Sequence, residues 1–383
     1  MDFLVGSFNQ PSLYLFTFDP STSTLHLTKE HPAIGGHSWL SLSQDKTNLY
    51  CTAWTAQPSI ASYQILSGGH EIRHLNTKTV KSTSGYVCNN STHVFSVSGP
   101  SGEVFRKNKS DSGSLGNLVQ ELDFVTDQGA NQSAARGEVA HGDFGGLRHG
   151  AHSVDISPDG KSLFVADIGR NCIWTYKITH ETEGVDDPPL EFGTKHIAPR
   201  SHDGPRHTWP HPSGKILYSL QEHSSMVDVF SIADDGVTLK HIQGCSILPA
   251  GKDCKNYWAD EVRYSTGPDA AKPRYLYASN RGLEKGTKGY VAAYKLAEDG
   301  TLESEEAVDI WETPTSGGIA NAIEPAPWKV EHGDKEYLAL CDSEEGWVSI
   351  LSFDGKVIQE VSKVNLGKAK DGKVVGAATP VWL

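Results

Sequence analysis

The sequence of 383 residues lacks the basic and apolar runs that mark membrane and nucleic-acid-binding proteins. It contains no apolar stretch as long as a membrane-spanning helix, and its N-terminus has no basic segment followed by an apolar core. The net charge is −13, with no cluster of Lys and Arg to neutralise phosphates. These absences argue against a membrane or nucleic-acid partner and predict a soluble, cytoplasmic protein. They leave assembly into a homo-oligomer open.

The six cysteines show no Cys-x-x-Cys spacing. Most of them fall inside predicted strands, where a thiol is an ordinary buried residue. The spacing therefore gives no sign of a disulfide framework or a zinc site, and reduced cysteines are typical of a cytoplasmic protein.

Several catalytic and cofactor-binding motifs are also absent. The chain has no Gly-x-Gly-x-x-Gly, no Walker loop and no Gly-x-Ser-x-Gly elbow. Nothing in it has the period of a long amphipathic helix, whereas 38 glycines and 19 prolines suit short strands joined by tight turns. The sequence predicts an all-β fold without a nucleotide cofactor.

What is present is an internal repeat. Residues 204–232 read as strand, Pro-Ser-Gly turn, strand, loop and strand, and residues 152–178 repeat this pattern around Ser-Pro-Asp-Gly. Further copies lie at 3–28, 39–54, 85–106, 274–296 and 321–353. Four-stranded units at a spacing of about 40–60 residues are typical of a β-propeller. We expect seven blades of four antiparallel strands.

The two chain ends predict how the ring closes. The N-terminal copy offers no first strand, and residues 374–383 form a leftover strand. Pairing the two would remove the exposed edges of an open ring. We therefore expect the C-terminal strand to complete the N-terminal blade, and a single domain spanning 1–383, since no linker divides the chain.

Two stretches interrupt the repeat. Residues 107–147 are rich in Gly and Ser and must contain a fourth strand and a long loop, and residues 179–202 read as a second insertion. Both precede innermost strands, so we expect both on the face of the ring where those strands begin.

That face is also where polar side chains are expected to converge. Starts of first strands and ends of second strands lie side by side in an antiparallel hairpin, opposite its turn. The residues at these points are His37, Trp54, His149, His152, Asp167, Arg206, His207, Glu222, Arg281 and Asp342. Arginines, histidines and a carboxylate at one mouth suit an anionic substrate that needs proton transfer, although His and Arg at blade ends also serve as structural hydrogen-bonding groups.

A divalent ion is the main alternative for this set. Glu222, Asp167 and Asp342 could hold one, but two arginines at the same mouth would repel it. We expect neither a metal nor a cofactor. A propeller that only binds a protein partner is a further alternative, because fold alone does not imply function.

The motifs around these residues resemble a known family. Gly-Pro-Arg-His at 204–207, His-Ser-Val-Asp-Ile-Ser-Pro-Asp-Gly at 152–160 and Tyr-Ala-Ser-Asn-Arg at 277–281 are similar to the seven-bladed lactonase propellers. Thr-Pro-Thr-Ser-Gly-Gly at 313–318 and Asp-Ser-Glu-Glu-Gly-Trp at 342–347 resemble the fungal carboxy-cis,cis-muconate cyclases within them. The chain departs from the family in two places: Ile319 replaces the family's histidine, and residues 107–147 have no match.

The resemblance implies a cofactor-free cycloisomerase acting on a di- or tricarboxylate. Its implied catalytic residues are His152, Arg206, Glu222 and Arg281, with His37, Trp54, His149 and His207 expected to bind substrate. The implied reaction converts 3-carboxy-cis,cis-muconate to 3-carboxymuconolactone in the β-ketoadipate pathway of aromatic catabolism. Cis,cis-muconate and a phosphorylated sugar lactone remain alternative substrates.

Overall fold

The fold is a ring of seven β-sheets, each with four antiparallel strands. It is seen in a computed structural model that describes residues 1–124, 150–179 and 187–383. In six sheets the strands follow chain order from the central channel outward, and in the remaining one the last strand of the chain lies innermost. The predicted all-β propeller of seven four-stranded blades is confirmed.

The strands of the first three blades have the following bounds. Blade 1 begins with β1 (Asp2–Ser7), β2 (Ser12–Asp19) and β3 (Thr24–Pro32). Blade 2 consists of β4 (Leu40–Leu42), β5 (Asn48–Ala53), β6 (Ser59–Leu66) and β7 (Glu71–Thr79). Blade 3 consists of β8 (Tyr86–Asn89), β9 (His93–Val97), β10 (Ser101–Asn108) and β11 (Ser114–Asp123).

The other blades repeat the arrangement. Blade 4 consists of β12 (Ala151–Ile156), β13 (Ser162–Asp167), β14 (Cys172–Ile178) and β15 (Leu190–Ile197). Blade 5 consists of β16 (Pro205–Pro210), β17 (Ile216–Gln221), β18 (Met226–Ile232) and β19 (Leu239–Ser246). Blade 6 consists of β20 (Tyr257–Tyr264), β21 (Tyr275–Gly282), β22 (Tyr290–Lys295) and β23 (Asp309–Glu312). Blade 7 consists of β24 (Asn321–Pro325), β25 (Glu336–Asp342), β26 (Trp347–Phe353) and β27 (Ile358–Asn365).

Helical structure in the described residues is limited to short 3₁₀ turns. These are Ser67–Gly69, Lys109–Asp111, Cys254–Asn256 and Val330–His332. No helix in these parts of the chain is long and apolar enough to cross a membrane.

The same tight turn joins the first two strands of several blades. Gly160 and Gly214 have φ angles of 72° and 70°, and their N–H groups donate to the carbonyls three residues earlier at 2.8 and 2.9 Å. In blade 2, Lys46 takes the same place with φ 57°. A positive φ costs glycine little, which explains the recurrence of Gly after Pro-Asp and Pro-Ser.

The hydrophobic core lies between neighbouring blades. One cluster joins blades 4 and 5 through Phe164, Ile173, Leu217 and Phe230, and comparable clusters join blades 6 and 7 and blades 1 and 2. Each blade therefore buries its two faces against its neighbours, as a propeller requires.

The last strand, β28 (Ala377–Trp382), closes the ring by pairing with β1. The ring of Trp382 lies 4.5 Å from that of Phe3, and its Nε1 donates to the carbonyl of Glu324 in blade 7 at 3.0 Å. Thr379 donates through Oγ1 to the carbonyl of Ser38 at 2.9 Å. The predicted closure by the C-terminal strand is confirmed, and this strand joins blades 7, 1 and 2.

The two stretches that interrupt the repeat have different outcomes. The fourth strand expected within 107–147 is β11, and residues 125–147 lie outside the described residues. The interpretation of 179–202 as an insertion on the Arg206 face is wrong. Residues 190–197 are the fourth strand β15, and the pairing of Ile178 with Leu190 puts the end of β14 and the start of β15 at the opposite end of the blade.

Candidate active site

A cavity of about 600 Å³, open mouth included, lies where the innermost strands begin. Blades 4, 5 and 6 supply its charged wall, whereas Phe8, Trp39, Ile319, Ala320 and Ala322 supply apolar surface. Among the residues expected from the sequence, those that line it are Trp54, His152, Arg206, His207, Glu222 and Arg281. The structure thus brings six of the ten residues expected at this face to one cavity.

Three β-bulges make the charged wall possible. The pairing of β12, β16 and β20 with the next strand shifts register at His152, Arg206 and Asp260 respectively. In a regular strand consecutive side chains point to opposite faces, but a bulge re-aims the extra residue. As a result Arg206 and His207 both line the cavity, as do Asp260 and Glu261.

Two arginines and two carboxylates form a buried cluster. Arg206 contacts Asp260 (Nη2 to Oδ1, 3.0 Å) and Glu222 (Nε to Oε2, 3.9 Å). Arg281 contacts Glu222 (Nη2 to Oε1, 3.5 Å) and Asp260 (Nε to Oδ1, 3.9 Å). All four residues are at least nine-tenths buried. The hairpin register therefore puts Arg206 beside Glu222, as the sequence predicts, and adds a second carboxylate that bridges the two guanidinium groups.

Backbone contacts fix these side chains further. Glu222 N–H donates to the carbonyl of Gly204 at 2.8 Å, and its own carbonyl accepts from Ala259 N–H at 2.9 Å, which ties blade 5 to blade 6. Arg281 donates through Nη1 to the carbonyl of Gly318 at 3.0 Å. The site is therefore held by three adjacent blades and the loop that leads into blade 7.

His207 holds Arg206 in place. Arg206 Nη1 lies 2.8 Å from His207 Nε2, and His207 Nδ1 lies 2.8 Å from Glu261 Oε1. Because a guanidinium only donates, Nε2 must accept, so the ring proton is on Nδ1 and is donated to Glu261. We interpret His207 as a neutral residue that positions the guanidinium.

Burial determines the protonation behaviour of the wall. It lowers the pKa of His207 well below its ordinary value, and the charges of Arg206 and Arg263 act in the same direction. It raises the pKa of Asp260 against the opposing effect of the two cavity arginines, and it raises the pKa of Glu261 to about 7. Burial therefore favours the protonated form of the Asp260 and Glu261 carboxyl groups and the neutral form of His207.

His37 is not brought to the cavity. It is fully buried in blade 2, where Nδ1 lies 2.6 Å from the carbonyl of Thr52 and Nε2 lies 2.8 Å from the hydroxyl of Tyr63. Both nitrogens are engaged within the blade, so the expectation that His37 binds substrate is corrected to a structural role.

Two further expected residues, Asp167 and Asp342, also lie elsewhere. Asp167 pairs with Arg170 at 3.2 Å and accepts from Trp174 Nε1 at 3.0 Å. Asp342 accepts from the N–H of Glu344 at 2.7 Å and caps the loop after β25. His149 lies outside the described residues.

Asp260 and Glu261 are charged cavity residues that do not appear among the residues expected from the sequence. The signal for them is present, since Ala-Asp-Glu at 259–261 occupies the same place in β20 as Pro-Arg-His at 205–207 in β16 and Ala-His-Ser at 151–153 in β12. Aligning the innermost strands identifies both residues, once β20 is recognised as the first strand of its blade.

No metal-binding cluster is found in the described ranges. There, no group of three or more His, Cys, Asp or Glu side chains is placed to hold an ion.

The comparison with known families agrees with this fold. The family described as lactonase, 7-bladed beta-propeller matches residues 2–315, which is most of the chain. The protein belongs to this family of seven-bladed lactonase propellers, and it is an enzyme.

Individual relatives narrow the class. The chain is 43% identical to muconate cycloisomerase 1 of Cutaneotrichosporon cutaneum, covering 100% of this chain and 98% of that protein. It is 24% identical to carboxy-cis,cis-muconate cyclase of Neurospora crassa, covering 95% of each. The solved structure of a periplasmic gluconolactonase from Pseudomonas aeruginosa superposes with a TM-score of 0.75 at 18% identity, covering 99% of this chain and 98% of that one, and shows the shared fold. The relatives indicate a lactonizing cyclase or a lactonase.

Proposed function

We propose that the protein is a cofactor-free cycloisomerase that lactonises cis,cis-muconate. The observation that carries the proposal is the pair of guanidinium groups of Arg206 and Arg281, buried in one cavity beside Glu222 and Asp260. Guanidinium groups bind carboxylates with two parallel hydrogen bonds, and muconate has a carboxylate at each end. The relative that is 43% identical over the whole chain supports this substrate.

The reaction suits these side chains. One substrate carboxylate adds to the double bond conjugated with the other carboxylate, a carbon–oxygen bond forms, and the π bond breaks. Negative charge develops on the second carboxylate until a proton reaches the adjacent carbon. A fixed guanidinium aimed at that charge stabilises the transition state.

The proton has two candidate donors in the same cavity. His152 and Glu222 both line it, and the rings of His152 and His207 lie 5.2 Å apart. A general acid must reach the carbon that is protonated, and both side chains line the cavity that contains Arg206. No step requires a metal or an organic cofactor.

The cavity wall favours a substrate with two carboxylates over one with three. Ile319, Ala320 and Ala322 give one side of the cavity an apolar surface. A third carboxylate placed there would be desolvated without a cationic partner. The 3-carboxy derivative is the second candidate, because the carboxy-cis,cis-muconate cyclase of Neurospora crassa is a relative over 95% of the chain.

The experiment is a spectrophotometric assay of diene absorbance with purified, chelator-treated protein. We expect cis,cis-muconate to be consumed with a higher kcat/KM than 3-carboxy-cis,cis-muconate, and a phosphorylated sugar lactone to be left unhydrolysed. Loss of activity on chelation, or consumption of neither diene, would contradict the proposal.

A variant tests the choice between the two dienes. Ile319→His introduces the residue that the fungal cyclase pattern has at this position, and it should improve kcat/KM for the 3-carboxy derivative relative to cis,cis-muconate. Ile319→Val keeps an apolar side chain and serves as the control, with an unchanged ratio of the two constants.

A further inference from the structure

The cavity cluster is balanced in charge before any ligand binds. Arg206 and Arg281 carry two positive charges, and Glu222 and Asp260 supply two carboxylates within 3.0 to 3.9 Å of them. His207 adds no charge, since its pKa lies well below the ordinary value. A ligand with two carboxylates therefore enters a site whose positive charges already have partners.

The same cluster has unused hydrogen-bonding groups. The Nε atoms of Arg206 and Arg281 are buried donors without a hydrogen-bond partner, and Glu222 Oε2 is a buried acceptor without one, since it lies 3.9 Å from Arg206 Nε. Buried polar atoms are nearly always paired in folded proteins, so unpaired ones in a cavity wall indicate a place for a ligand. Carboxylate oxygens would satisfy the two donors.

Binding a dicarboxylate changes the balance between these charges. Two guanidinium groups would then face four carboxylates, two from the protein and two from the ligand. Carboxylates that share a buried site cannot all stay ionised, and one of them takes up a proton. The proton belongs to the interacting pair of protein carboxyls, not to one residue alone.

The surroundings of the pair support this behaviour. Burial already raises the pKa of Asp260 although both arginines oppose it, and the nearby Glu261 adds a repulsive charge. Glu261 itself is partnered by Arg263, with Nη1 of Arg263 2.5 Å from its Oε1. The charged and titratable groups around the pair are His152 of β12, Arg206 and His207 of β16, His223 after β17, Glu261 and Arg263 of β20 and Arg281 of β21.

We propose that Glu222 and Asp260 take up one proton from solvent when a dicarboxylate binds between Arg206 and Arg281. The inference rests on the proposed function and extends it, because lactonisation itself consumes one proton. A muconate dianion closes to a lactone that retains one carboxylate, as the carbon–oxygen bond forms and the neighbouring carbon is protonated. The proton taken up on binding is the one that reaches this carbon, so the pair is ionised again once the monoanionic lactone has formed.

Calorimetry with an unreactive ligand tests the proposal. Adipate has the six-carbon length and two carboxylates of muconate but no double bond, so it binds without cyclising. Its binding enthalpy is measured near neutral pH in Tris and in Hepes, which differ in ionisation enthalpy. Uptake of one proton per ligand predicts that the two measured binding enthalpies differ by the full difference between the ionisation enthalpies of the two buffers.

The Kd for adipate should also rise tenfold per pH unit above the pKa of the pair. Tryptophan fluorescence can follow this, since Trp39 and Trp54 line the cavity.

Variants identify the groups that take up the proton. Asp260→Asn and Glu222→Gln each remove one negative charge, so adipate should bind with no buffer dependence and with a Kd that is independent of pH. The control Asp342→Asn changes a buried carboxyl outside the cavity, whose pKa burial raises to about 6, and it should retain the proton uptake. If one cavity variant does not fold, measurements on the wild type and the other variant still show whether the carboxyl pair takes up the proton.

Three results would overturn the inference: no binding of adipate, binding with the same enthalpy in both buffers, or undiminished proton uptake in both cavity variants. The outcome of the diene assay is independent of the outcome of the calorimetry. Proton-linked binding of adipate without turnover of either diene would leave the inference standing and contradict the proposed reaction.

Discussion

At the scale of single residues, Arg206 and Arg281 are held differently although they share the same two carboxylates. The Nη1 group of Arg206 donates hydrogen bonds to His207 and to the backbone carbonyl of Asp260. Arg281 donates to the carbonyl of Gly318 and lies 5.1 Å from the ring of Trp258. The more constrained guanidinium is the better candidate for the charge that develops in the transition state, because preorganised donors need no rearrangement during reaction.

Replacing each arginine by lysine separates these roles. Lysine keeps the charge but loses the planar fork. Arg206→Lys should lower kcat by a factor of about 100 to 1,000, the usual effect of losing such a donor. Arg281→Lys should mainly raise KM and leave kcat nearly unchanged. The control in the steady-state kinetics is Arg274→Lys. Arg274 forms an ion pair with Glu336 away from the cavity, so this variant should keep the wild-type kcat and KM. If kcat and KM of both cavity variants equal those of the wild type, the two arginines have no role in the reaction.

His37 gives a second prediction at this scale. Burial lowers its pKa from 6.5 to about 4. The unfolded chain therefore binds the proton first as pH falls, so the stability that neutral His37 contributes is complete above pH 6.5 and is lost between 6.5 and about 4, on the order of 3 kcal/mol. His37→Phe should lower the melting temperature at neutral pH, flatten this part of the acid-unfolding curve and leave kcat and KM unchanged.

The matched control is His152→Phe, which replaces a histidine that lines the cavity and should lower kcat. Loss of turnover in a folded His37→Phe protein would show that the structural role assigned to His37 is wrong.

At the scale of elements, strands were easier to predict than the positions of individual side chains. The turns around Gly160 and Gly214 and the alternation of apolar residues locate the blades, because the same physical pattern recurs. The bulges at His152, Arg206 and Asp260 cannot be read from alternation, since an extra residue leaves no mark on composition. The Gly-Pro-Arg-His motif identifies Arg206 without knowledge of its bulge, whereas Asp260 lies in β20, which the repeat copy at 274–296 leaves out.

The wrong interpretation of residues 179–202 as an insertion has another cause, which is that β15 is an edge strand. β15 is polar and partly exposed, as an outermost strand should be, and this made it resemble an inserted loop. His37 was misplaced for a related reason, because the short innermost strand of blade 2 begins only at Leu40 and leaves His37 to hydrogen-bond within its own blade.

The closing strand gives the prediction at this scale. Deleting residues 377–383 removes β28 and leaves the edge of β1 and the apolar surface around Phe3 unpaired. We expect insoluble protein or a much lower melting temperature, measured by differential scanning fluorimetry. Removing Leu383 alone keeps all of β28 and should have a far smaller effect. A truncated protein as stable as the full chain would contradict the closure.

At the scale of the whole molecule, the ring matters because it brings residues from distant parts of the chain to one cavity. Phe8 of the first blade, Arg206 of the fifth and Ile319 before the seventh line the same space. The ring provides an apolar wall on one side and a balanced cluster of charges on the other. That combination suits a small dianion that gains a proton as it reacts.

The most direct test of proton delivery in this cavity is the reaction of cis,cis-muconate in deuterium oxide, followed by nuclear magnetic resonance. We expect that the protein, without added metal or cofactor, converts the diene to its lactone with one solvent deuterium, in a single configuration, on the carbon next to the free carboxylate. An unchanged diene, or a lactone with deuterium in both configurations equally, would contradict an enzymatic proton delivery in this cavity.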